Sequence, residues 1–545
     1  MNIVRLKGQM SLFVALKSRA YNLPSHGIIT SLKRLCGRVV IVMIGTFGLP
    51  NVWLTNGSPL RIFDAVCNKN VIDNQSPDIL WHLDLKGGAP RLNVLNDIIA
   101  LTVSAGATGI LIEWEDMFPY HGPIANLSAH NAIKISNVQD LMQVVSKHGL
   151  KVVHLIQTLG HLEFALKLSE WESLRESYSP AEACPSNKGT IDLVKEMVDQ
   201  VLTVAPTSIV HIGADEVYHM GTCNLCLQTG NSRMDLFVNH VSAVASHIHE
   251  KWGARVLVWD DMFRNARTKY LRSLASLVEP VVWAYGPNVQ QMISYSVFAT
   301  YARYFPSIWV APAFKGATGP SSIMPNAARS AENTLAWQNV AKDIQKKMGL
   351  KISGTVLTGW SRYDHFAVLC ELLPPSLPSL ILTLLVANAQ HYTSRTSQDL
   401  HFLIKCPSHI YLDPVTDIHL WKARECSFVG ANMIQALLNF SKLRKEIWEL
   451  EAEIKKGGWL TQYHVRYKYS SPSRVKEATL RLPTLESKLM ELWDEIIAVL
   501  DQYYDSATLE EWTQQNLQPL NYTLSQIRKD AQTILSQKSW IRRPL

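Results

Sequence analysis

The middle of the chain repeats one pattern, in which a short apolar run is followed by a polar turn and then by an amphipathic stretch. The pattern begins near residue 79 and continues to about residue 360. Apolar runs that alternate with helical periodicity are typical of a parallel sheet whose strands are joined by helices. The runs predict eight strands: Ile79–Leu85, Thr108–Trp114, Lys151–Gln157, Ser208–Gly213, Arg255–Trp259, Val278–Trp283, Ser307–Pro312 and Ile352–Trp360.

Eight such strands fit a (β/α)8 barrel of the α/β class, and we predict this TIM barrel over residues 77–389. A doubly wound open sheet is the alternative, but no Gly-x-Gly-x-x-Gly sequence follows the first strand. Charged or aromatic side chains follow nearly every run, as at Asp84, Lys86, Glu115 and Arg362. A barrel brings its strand ends together on one face, where the loops build an active site, whereas an open sheet spreads them along an edge.

Beyond about residue 390 the strand pattern gives way to helical periodicity, and we predict a helical region over residues 390–545. One apolar seam steps by three and four residues through Leu482, Leu485, Leu489, Leu492, Ile496 and Val499. A second helix is predicted through Leu437, Ile447, Leu450 and Ile454, ending at Gly457. The seam could pair with a second chain in a homodimer, but it covers too few heptads for a coiled coil, so packing on the barrel is favoured. The apolar run Leu377–Ala387 is too short to span a membrane and is predicted to be a buried helix.

Residues 1–76 form an extension that is first basic and then apolar. Arg38 is followed directly by an apolar run over residues 39–54. Basic residues before such a run are typical of a signal-anchor, which predicts a type II membrane protein of the secretory pathway with a single-pass anchor. The run is shorter than a usual span and contains Pro50, and an acid-poor start also fits a transit peptide. The cytoplasm or nucleus is therefore the alternative location.

Five Asn-x-Ser/Thr sequons also favour a luminal location, because this sequence is the acceptor for N-glycosylation. They stand at Asn56, Asn74, Asn126, Asn439 and Asn521. Eight cysteines in 545 residues are too few for a dense disulfide framework. Cys223 and Cys226 are spaced closely, but no second pair or His-x-x-x-His completes a zinc site. They are therefore predicted to be incidental loop thiols, which could form a disulfide in an oxidising compartment.

Composition and charge narrow the classes of function. Lys and Arg exceed Asp and Glu by 53 − 46 = 7, and no dense basic tract is interleaved with aromatic residues, so no nucleic-acid partner is expected. A hydrophobic content of 47% excludes a disordered chain. The sixteen tryptophans need a wall or a pocket to fill, and either a carbohydrate-binding cleft or a large core would use them.

The sharpest chemical feature is a pair of adjacent carboxylates at the end of the fourth predicted strand. Asp215 and Glu216 follow a Gly and an Ala, after the apolar run that contains His211. If Asp215 stays ionised, its charge and partial burial raise the proton affinity of Glu216. A carboxylic acid that stays protonated near neutral pH can donate a proton to a leaving oxygen. The pair therefore predicts general acid chemistry.

The segment around these carboxylates resembles the Gly-x-Asp-Glu motif of family-20 glycoside hydrolases, the β-N-acetylhexosaminidases. Further blocks are similar, in chain order, to the hexosaminidase D branch of that family: His82-Leu-Asp-Leu-Lys-Gly, Leu111-Ile-Glu-Trp-Glu-Asp-Met-Phe-Pro-Tyr, Gln157-Thr-Leu-Gly-His-Leu-Glu-Phe, Val258-Trp-Asp-Asp-Met, Ala313-Phe-Lys-Gly-Ala-Thr-Gly-Pro and Leu357-Thr-Gly-Trp-Ser-Arg-Tyr-Asp-His. The similarity covers roughly residues 79–375, continues more weakly into the C-terminal helices and does not extend to residues 1–76.

The resemblance implies an exo-β-N-acetylhexosaminidase that removes terminal non-reducing GalNAc or GlcNAc from glycans or glycoconjugates. It implies a substrate-assisted retaining mechanism, in which the acetamido oxygen attacks its own anomeric carbon and forms an oxazolinium intermediate. Asp215 would orient and stabilise the acetamido N–H. Glu216 would protonate the glycosidic oxygen and later activate water. No metal and no cofactor are implied.

The same resemblance implies residues that contact the sugar. His161 matches the His of a Pro-Gly-His sequence in the family and is expected to touch the sugar or the orienting carboxylate. Trp259, Trp283 and Trp360 are expected to wall the sugar ring and its N-acetyl group, because aromatic faces suit the apolar faces of sugars. Tyr218, beside the acid pair, belongs to the same predicted set.

The residues that would bind the sugar hydroxyls depart from the family pattern. Asp84 and Lys86 stand where typical members carry an Arg, and Arg362 stands where they carry a Glu. Glu115 completes the predicted substrate-binding set. The choice between GalNAc and GlcNAc is therefore open, and the hexosaminidase D branch favours galactosaminides.

Two other functions fit parts of the sequence. A metal-dependent barrel hydrolase could use imidazole and carboxylate ligands at strand ends: His82, Asp84, His154, His161, His211 and Asp215. A non-catalytic sugar-binding barrel would bind N-acetylhexosamines without turnover, although the intact acid pair argues against it. His82 and His154 lie inside strand runs and are expected to be core histidines with satisfied hydrogen bonds.

Overall fold

A computed structural model describes residues 77–545, and in it the apolar runs form strands that all pair in parallel. The strands are β1 (Asp78–Asp84), β2 (Gly109–Glu113), β3 (Lys151–Leu155), β4 (Ile209–His211), β5 (Arg255–Trp259), β6 (Glu279–Trp283), β7 (Ser307–Ala311), β8 (Ala313–Lys315) and β9 (Lys351–Gly359). β7 pairs with β9, and β9 pairs with β1, which closes a barrel of eight strands. The short β8 lies outside this ring, beside β9. The eight predicted strands and the (β/α)8 barrel are confirmed.

Helices connect the strands and cover the outside of the barrel. They are α1 (Leu92–Ser104), α2 (Ile135–Lys147), α3 (Glu163–Leu166), α4 (Lys188–Val204), α5 (Asn224–Gln228), α6 (Arg233–Trp252), α7 (Thr268–Leu274), α8 (Val289–Met292), α9 (Tyr295–Tyr304), α10 (Ala327–Met348) and α11 (Leu377–Ala389). Short 3₁₀ turns occur at Glu115–Met117, Gly122–Leu127, Ser169–Leu174, Pro374–Ser376 and Trp421–Glu425. The two longest helices of the barrel have local start and stop signals. Helix α6 begins with a capping box between Ser232 and Asp235 and ends at left-handed Gly253, and α10 begins at the N-cap Asn326 and ends at left-handed Gly349.

The barrel interior is filled by side chains that alternate inward along the strands. Leu80, Leu111, Leu257 and Trp309 belong to this inner apolar cluster, while a larger cluster lies between the strands and the helices. The interior is therefore a packed core rather than a pore, as is usual for this fold. Its carboxyl end is left for the polar side chains of the site.

The C-terminal region is helical, as predicted. It contains α12 (Ser394–Leu403), α13 (Ala431–Lys456), α14 (Gln462–Tyr467), α15 (Pro472–Ala478), α16 (Leu482–Leu500), α17 (Ser506–Asn516) and α18 (Gln518–Leu535). The predicted seam is buried on α16 except at Val499, where Leu500 takes the inward position instead. Helix α16 packs on α13 and α18, so the seam is filled within the chain. A homodimer stays a prediction, and it would need another surface.

Polar contacts join the C-terminal helices to the barrel. The Arg91 guanidinium binds the Asp501 carboxylate at 3.0 Å, and the Asn131 amide donates to Asp505 at 3.0 Å. Residues Pro77–Leu545 form one compact unit. This unit contains both the barrel and the helical region that the sequence predicts to pack on it.

The predicted extension and its signal-anchor at residues 39–54 lie outside the described residues. Among residues 77–545, no helix combines the length and the apolar character needed to cross a membrane. The run predicted as a buried helix forms α11, whose residues are almost all buried.

Candidate active site

A cavity lies where the carboxyl ends of the barrel strands meet. Its volume is about 260 Å³, and loops that follow strands on all sides of the barrel line it. Eight of the eleven predicted site residues line this cavity: Lys86, Glu115, His161, Asp215, Glu216, Trp259, Trp283 and Trp360. The barrel therefore brings together side chains that are far apart in the sequence.

The two adjacent carboxylates lie on the loop after β4 and face His161 on the loop after β3. His161 Nε2 is 3.5 Å from Asp215 Oδ2 and 3.4 Å from Glu216 Oε2. Gln157 Nε2 donates to Asp215 Oδ1 at 3.3 Å, and the Tyr218 hydroxyl donates to Glu216 Oε1 at 3.1 Å. The side chain of Asp215 is 11% exposed and that of Glu216 is 39% exposed. The neighbouring carboxylates thus occupy different environments, one buried and one open to the cavity.

The loop that carries the carboxylates has an unusual backbone. Ala214 and Glu216 have positive φ angles of 66° and 51°, and His161 has a φ of 51°. Non-glycine residues rarely adopt this left-handed region, and those that do cluster at functional sites. At Gly213, whose φ is 62°, a Cβ atom would collide with the Gln157 side chain. The small residues before the pair therefore allow the turn that places both carboxylates at the cavity.

The charges in this cluster support one another. Burial raises the pKa of Asp215, but the positive charge and the hydrogen bond of His161 outweigh it, so the pKa lies below its ordinary value. Burial lowers the pKa of His161, but the charge of Asp215 and hydrogen bonds to both carboxylates outweigh it and hold this pKa well above its ordinary value. At neutral pH the cluster therefore contains an ionised Asp215 beside a protonated His161.

Comparisons with known proteins agree with this arrangement. Residues 111–365 match the family described as "Glycosyl hydrolase family 20, catalytic domain". The chain is 34% identical to Hexosaminidase D of Homo sapiens over 463 residues, which are 83% of this chain and 93% of that protein. The chain belongs to glycosyl hydrolase family 20.

Two further similarities accompany this assignment. The chain is 39% identical to Hexosaminidase D of Bos taurus over 315 residues, which are 56% of this chain and 90% of that protein. The structure of a Flavobacterium johnsoniae chitobiase superposes with a TM-score of 0.48 at 13% identity, over 86% of this chain and 73% of that one. The family resemblance inferred from the sequence blocks is confirmed, and the family 20 chain is a glycoside hydrolase.

The aromatic wall of this family 20 hydrolase is continuous. The Trp259 ring packs on His211 with centroids 4.3 Å apart and on Trp360 with centroids 6.1 Å apart. The Trp360 indole donates to the Tyr285 hydroxyl at 3.2 Å, and Trp283 stacks on Tyr285 with centroids 5.3 Å apart. The three predicted tryptophans therefore lie against one another or against Tyr285, which gives the cavity a rigid apolar side.

Asp261 couples this wall to the acid pair. Its Oδ2 accepts the backbone N–H of Glu216 at 3.0 Å, and its Oδ1 accepts the Trp283 indole N–H at 3.2 Å. Burial, and then the negative charge of Asp215, raises the pKa of Asp261 to about 7. Because this exceeds the ordinary value of 3.8, the folded protein holds a proton that the unfolded chain has released between those pH values.

This linkage predicts a pH dependence of stability. Because the folded state keeps this proton, the free energy of unfolding should fall as the pH rises from about 4 to about 7. Asp261→Asn has no proton to bind, so it should lack this part of the fall in stability. Thermal unfolding of both proteins between pH 4.5 and pH 8 measures it. In the variant, the amide nitrogen faces either the Glu216 backbone N–H or the Trp283 indole N–H and cannot accept it. The midpoint temperature of unfolding should therefore be lower at every pH. The two proteins should differ in the slope of midpoint temperature against pH, and parallel curves would contradict the prediction.

A buried charge network occupies the cavity next to β1 and β2. Lys86 Nζ is 2.8 Å from Glu113 Oε1 and 3.1 Å from Asp84 Oδ2. Burial lowers the pKa of Lys86, but the charges of Asp84 and Glu113 outweigh it and raise this pKa above its ordinary value. Asp84 also accepts the backbone N–H of Ser361 at 2.6 Å. Asp84 therefore supports Lys86 from behind the cavity wall, whereas Lys86, Glu113 and Glu115 reach the cavity itself.

Arg362 is not where its predicted role requires. It does not line the cavity, and its guanidinium binds Glu511 on α17 at 2.6 Å together with the carbonyls of Lys86 and Ala367. The structure therefore places Arg362 in the contact between the β9 loop and the C-terminal helices, which corrects the prediction of a substrate-binding side chain. Tyr218 is 63% exposed and reaches the site only through its bond to Glu216.

Several cavity residues were outside the predicted set. They are Glu113, Gln157, Tyr285, Gly316, Ala317, Tyr363 and Asp364. A signal existed for Tyr285, because it stands two residues after Trp283 and an extended chain places such residues on one face. Gln157 is the last residue of the third predicted strand, where a polar side chain follows Leu155 and Ile156. Tyr363 and Asp364 follow a loop whose path no local pattern predicts.

The histidines proposed for a metal hydrolase are used by the core. His154 accepts the Trp114 indole N–H at 3.0 Å and contacts the Ala205 carbonyl at 2.8 Å, and His82 contacts Glu113 at 3.0 Å. Within residues 77–545, two groups of side chains have donor atoms close enough to share a metal ion: Glu176 with Cys184, Cys223 and Cys226, and Glu115 with Asp116 and His365. Neither group contains a residue that was proposed as a ligand for the metal-dependent hydrolase, so the described residues do not support that alternative.

Proposed function

We propose that this family 20 hydrolase is an exo-β-N-acetylhexosaminidase that removes terminal, non-reducing, β-linked GalNAc or GlcNAc with retention of configuration. The Homo sapiens and Bos taurus relatives carry the name Hexosaminidase D. The observation that carries the proposal is the contact of His161 with the adjacent carboxylates Asp215 and Glu216 in an aromatic-walled cavity. Family 20 is an exception to two-carboxylate glycoside hydrolysis, because the substrate supplies the nucleophile.

The environments of the two carboxylates support different roles. Asp215 is buried, ionised and fixed by His161 and Gln157, so it can accept the acetamido N–H and balance the positive charge of the oxazolinium ring. Holding the acetamido oxygen beside the anomeric carbon supplies rate acceleration through proximity. Glu216 is more exposed to the cavity, where it can protonate the glycosidic oxygen and then activate water.

The size and the polarity of the cavity support an exo mode of action. A volume of about 260 Å³ lies near the lower limit of about 300–1,000 Å³ for ligand sites, which suits one sugar residue rather than an oligosaccharide. Lys86, Glu113 and Glu115 offer an ammonium group and two carboxyl groups for the hydroxyls of that residue. The similarity to the hexosaminidase D branch favours GalNAc over GlcNAc as this residue.

A direct assay tests the proposal. The p-nitrophenyl β-glycosides of GalNAc and GlcNAc are compared on the purified protein, and the configuration of the first-formed sugar is followed by NMR. We expect turnover of both with the β-anomer formed first, and a higher kcat/KM for GalNAc. Binding of either sugar without turnover would instead establish the sugar-binding barrel, and a first-formed α-anomer would exclude retention.

We further propose that residues 39–54 anchor the protein as a type II membrane protein and that the barrel lies in the lumen of the secretory pathway. A disulfide between Cys406 and Cys426 supports this location, because such bonds persist mainly in oxidising compartments. Two of the sequons in the described residues, at Asn126 and Asn521, are exposed. The third differs, because the Asn439 amide is half-buried and donates to Glu495 at 3.1 and 3.2 Å.

The sequons predict a specific glycosylation pattern. In a secretory cell, Asn126→Gln and Asn521→Gln should each remove one glycan from the protein, seen as a step in gel mobility that peptide N-glycosidase abolishes. Asn439→Gln is the matched control and should cause no step, because its amide is already bound within the helices. A full-length protein without any glycan that also washes off membranes in alkaline carbonate would place the barrel in the cytoplasm or nucleus.

A further inference from the structure

Three cysteine thiols meet between the chain segments that follow β3 and β4. Cys184 Sγ is 3.3 Å from Cys223 Sγ and 3.5 Å from Cys226 Sγ. Cys184 and Cys226 are buried, and Cys223 is half-buried. The sequence predicts Cys223 and Cys226 to be incidental thiols because no third ligand is visible nearby, but the fold brings Cys184 to them from the preceding loop.

A buried carboxylate completes this cluster. Glu176 is 3% exposed, and its Oε2 is 3.2 Å from the Cys226 sulfur. Its Oε1 accepts the backbone N–H groups of Thr222 and Cys223 at 2.6 and 2.8 Å. Within residues 77–545, no Lys, Arg or His side chain lies within ion-pair distance of this carboxylate. A buried carboxylate without a cation is costly, so this carboxylate at the three sulfurs is an available ligand for a metal ion.

The donor set matches one class of cation. All four ligand atoms lie within 4.8 Å of one another. Zn²⁺ is bound by thiolate, imidazole and carboxylate ligands, and its structural sites are tetrahedral with Zn–S distances of about 2.3 Å, which place the sulfurs about 3.8 Å apart. The sulfur separations of 3.3 and 3.5 Å need only a small expansion to reach that value. They also exceed the about 2.05 Å of a disulfide bond, and three thiols cannot all be paired with one another.

We propose that Cys184, Cys223 and Cys226, as thiolates, and the carboxylate of Glu176 bind one structural zinc ion. The three thiols lose their protons to solvent as the ion binds, so that one Zn²⁺, three thiolates and one carboxylate give a site that the backbone N–H groups of Thr222 and Cys223 help to stabilise through Glu176. All four positions are filled by protein, so the ion activates no water.

The position of the cluster gives the ion a role. Glu176 and Cys184 belong to the β3 loop that carries His161, and Cys223 and Cys226 belong to the β4 loop that carries Glu216. A second contact joins these loops, because the Glu182 carboxylate accepts the backbone N–H of Tyr218 at 2.8 Å. The ion would therefore act as a positioning element that holds the two catalytic loops at fixed separation.

Metal analysis of the purified full-length protein tests the proposal independently of any glycosidase assay. After gel filtration without chelator, we expect about one zinc per chain. Titration with a mercurial should release this zinc in step with the modification of three thiols. Replacement by Co²⁺ should produce the near-ultraviolet charge-transfer band of thiolate ligands. These three measurements need no variant.

Two variants locate the ion. Removal of even an outer partner of a metal ligand costs about 10–100-fold in affinity, so Cys226→Ser should lower zinc affinity at least about tenfold in competition with a chromogenic chelator. Cys370→Ser is the matched control, because Cys370 is also a buried free cysteine but lies outside the cluster, and its zinc content should not change. Protein without bound zinc whose three thiols are free or partly joined as a disulfide would overturn the proposal, as would equal zinc retention by Cys226→Ser.

Discussion

Glu216→Gln should lower kcat/KM on natural glycosides by about 10²- to 10⁴-fold, the usual contribution of a positioned general acid. The amide keeps the shape of the carboxyl group and the bond from the Tyr218 hydroxyl but cannot donate the proton. Aryl glycosides with nitrophenol as leaving group need little protonation, so their first step should be affected far less. The measurement is kcat/KM across a series of leaving groups, and its dependence on leaving-group pKa should steepen in the variant.

Azide provides a second measurement on the same variant. Glu216 is also expected to activate water for the second step, and azide attacks without a base. Added azide should therefore accelerate nitrophenyl substrates in Glu216→Gln and yield the β-glycosyl azide, while the parent enzyme should not respond. Equal losses on good and poor leaving groups, with no azide product, would remove Glu216 from the role of general acid and base.

Asp215→Asn should reduce kcat/KM by about 10²- to 10³-fold on all leaving groups, the order expected when one electrostatic contact to the transition state is lost. The variant keeps the side-chain volume but loses the charge that stabilises the oxazolinium and that holds the pKa of His161 high. A thiazoline mimic of the intermediate should therefore inhibit the parent strongly and the variant far less.

A fluorinated sugar distinguishes substrate assistance from direct attack. A 2-deoxy-2-fluoro glycoside lacks the acetamide, so it should leave no covalent adduct on the parent enzyme. Mass spectrometry of a proteolytic digest locates any adduct that forms. An adduct on Asp215 would make this carboxylate the nucleophile, and it would disprove substrate assistance even if the sugar specificity is as proposed.

The sequence predicted the barrel and the acid pair because both depend on local patterns. Each strand is an apolar run of its own, and Asp215 and Glu216 directly follow one of them, so closure of the barrel places them at the cavity without further information. His161 and the tryptophans were predictable for the same reason. Their positions relative to a strand end are set within a few residues.

The errors fall where a side chain has a partner far along the chain. Arg362 follows a barrel strand as a substrate-binding residue would, but its partner Glu511 lies on a helix that strand patterns do not place. The sequence around Cys223 and Cys226 also gives no sign that Cys184 and Glu176 approach them from another loop. The pairing of Cys406 with Cys426 likewise depends on the path of the chain between them. Long-range contacts of this kind are a property of the packed fold rather than of any window of sequence.

The ion pair between Arg362 and Glu511 forms late in the synthesis of the chain. The two residues are separated by 149 positions, and a ribosome adding about 5–20 residues per second needs about 7–30 s to cover that distance. Until Glu511 emerges, Arg362 lacks its carboxylate partner and the helix that carries it, although every barrel strand has already been made. A nascent chain that stops before α17 would therefore hold every barrel strand, while the contact between the loop after β9 and the C-terminal helices is still missing.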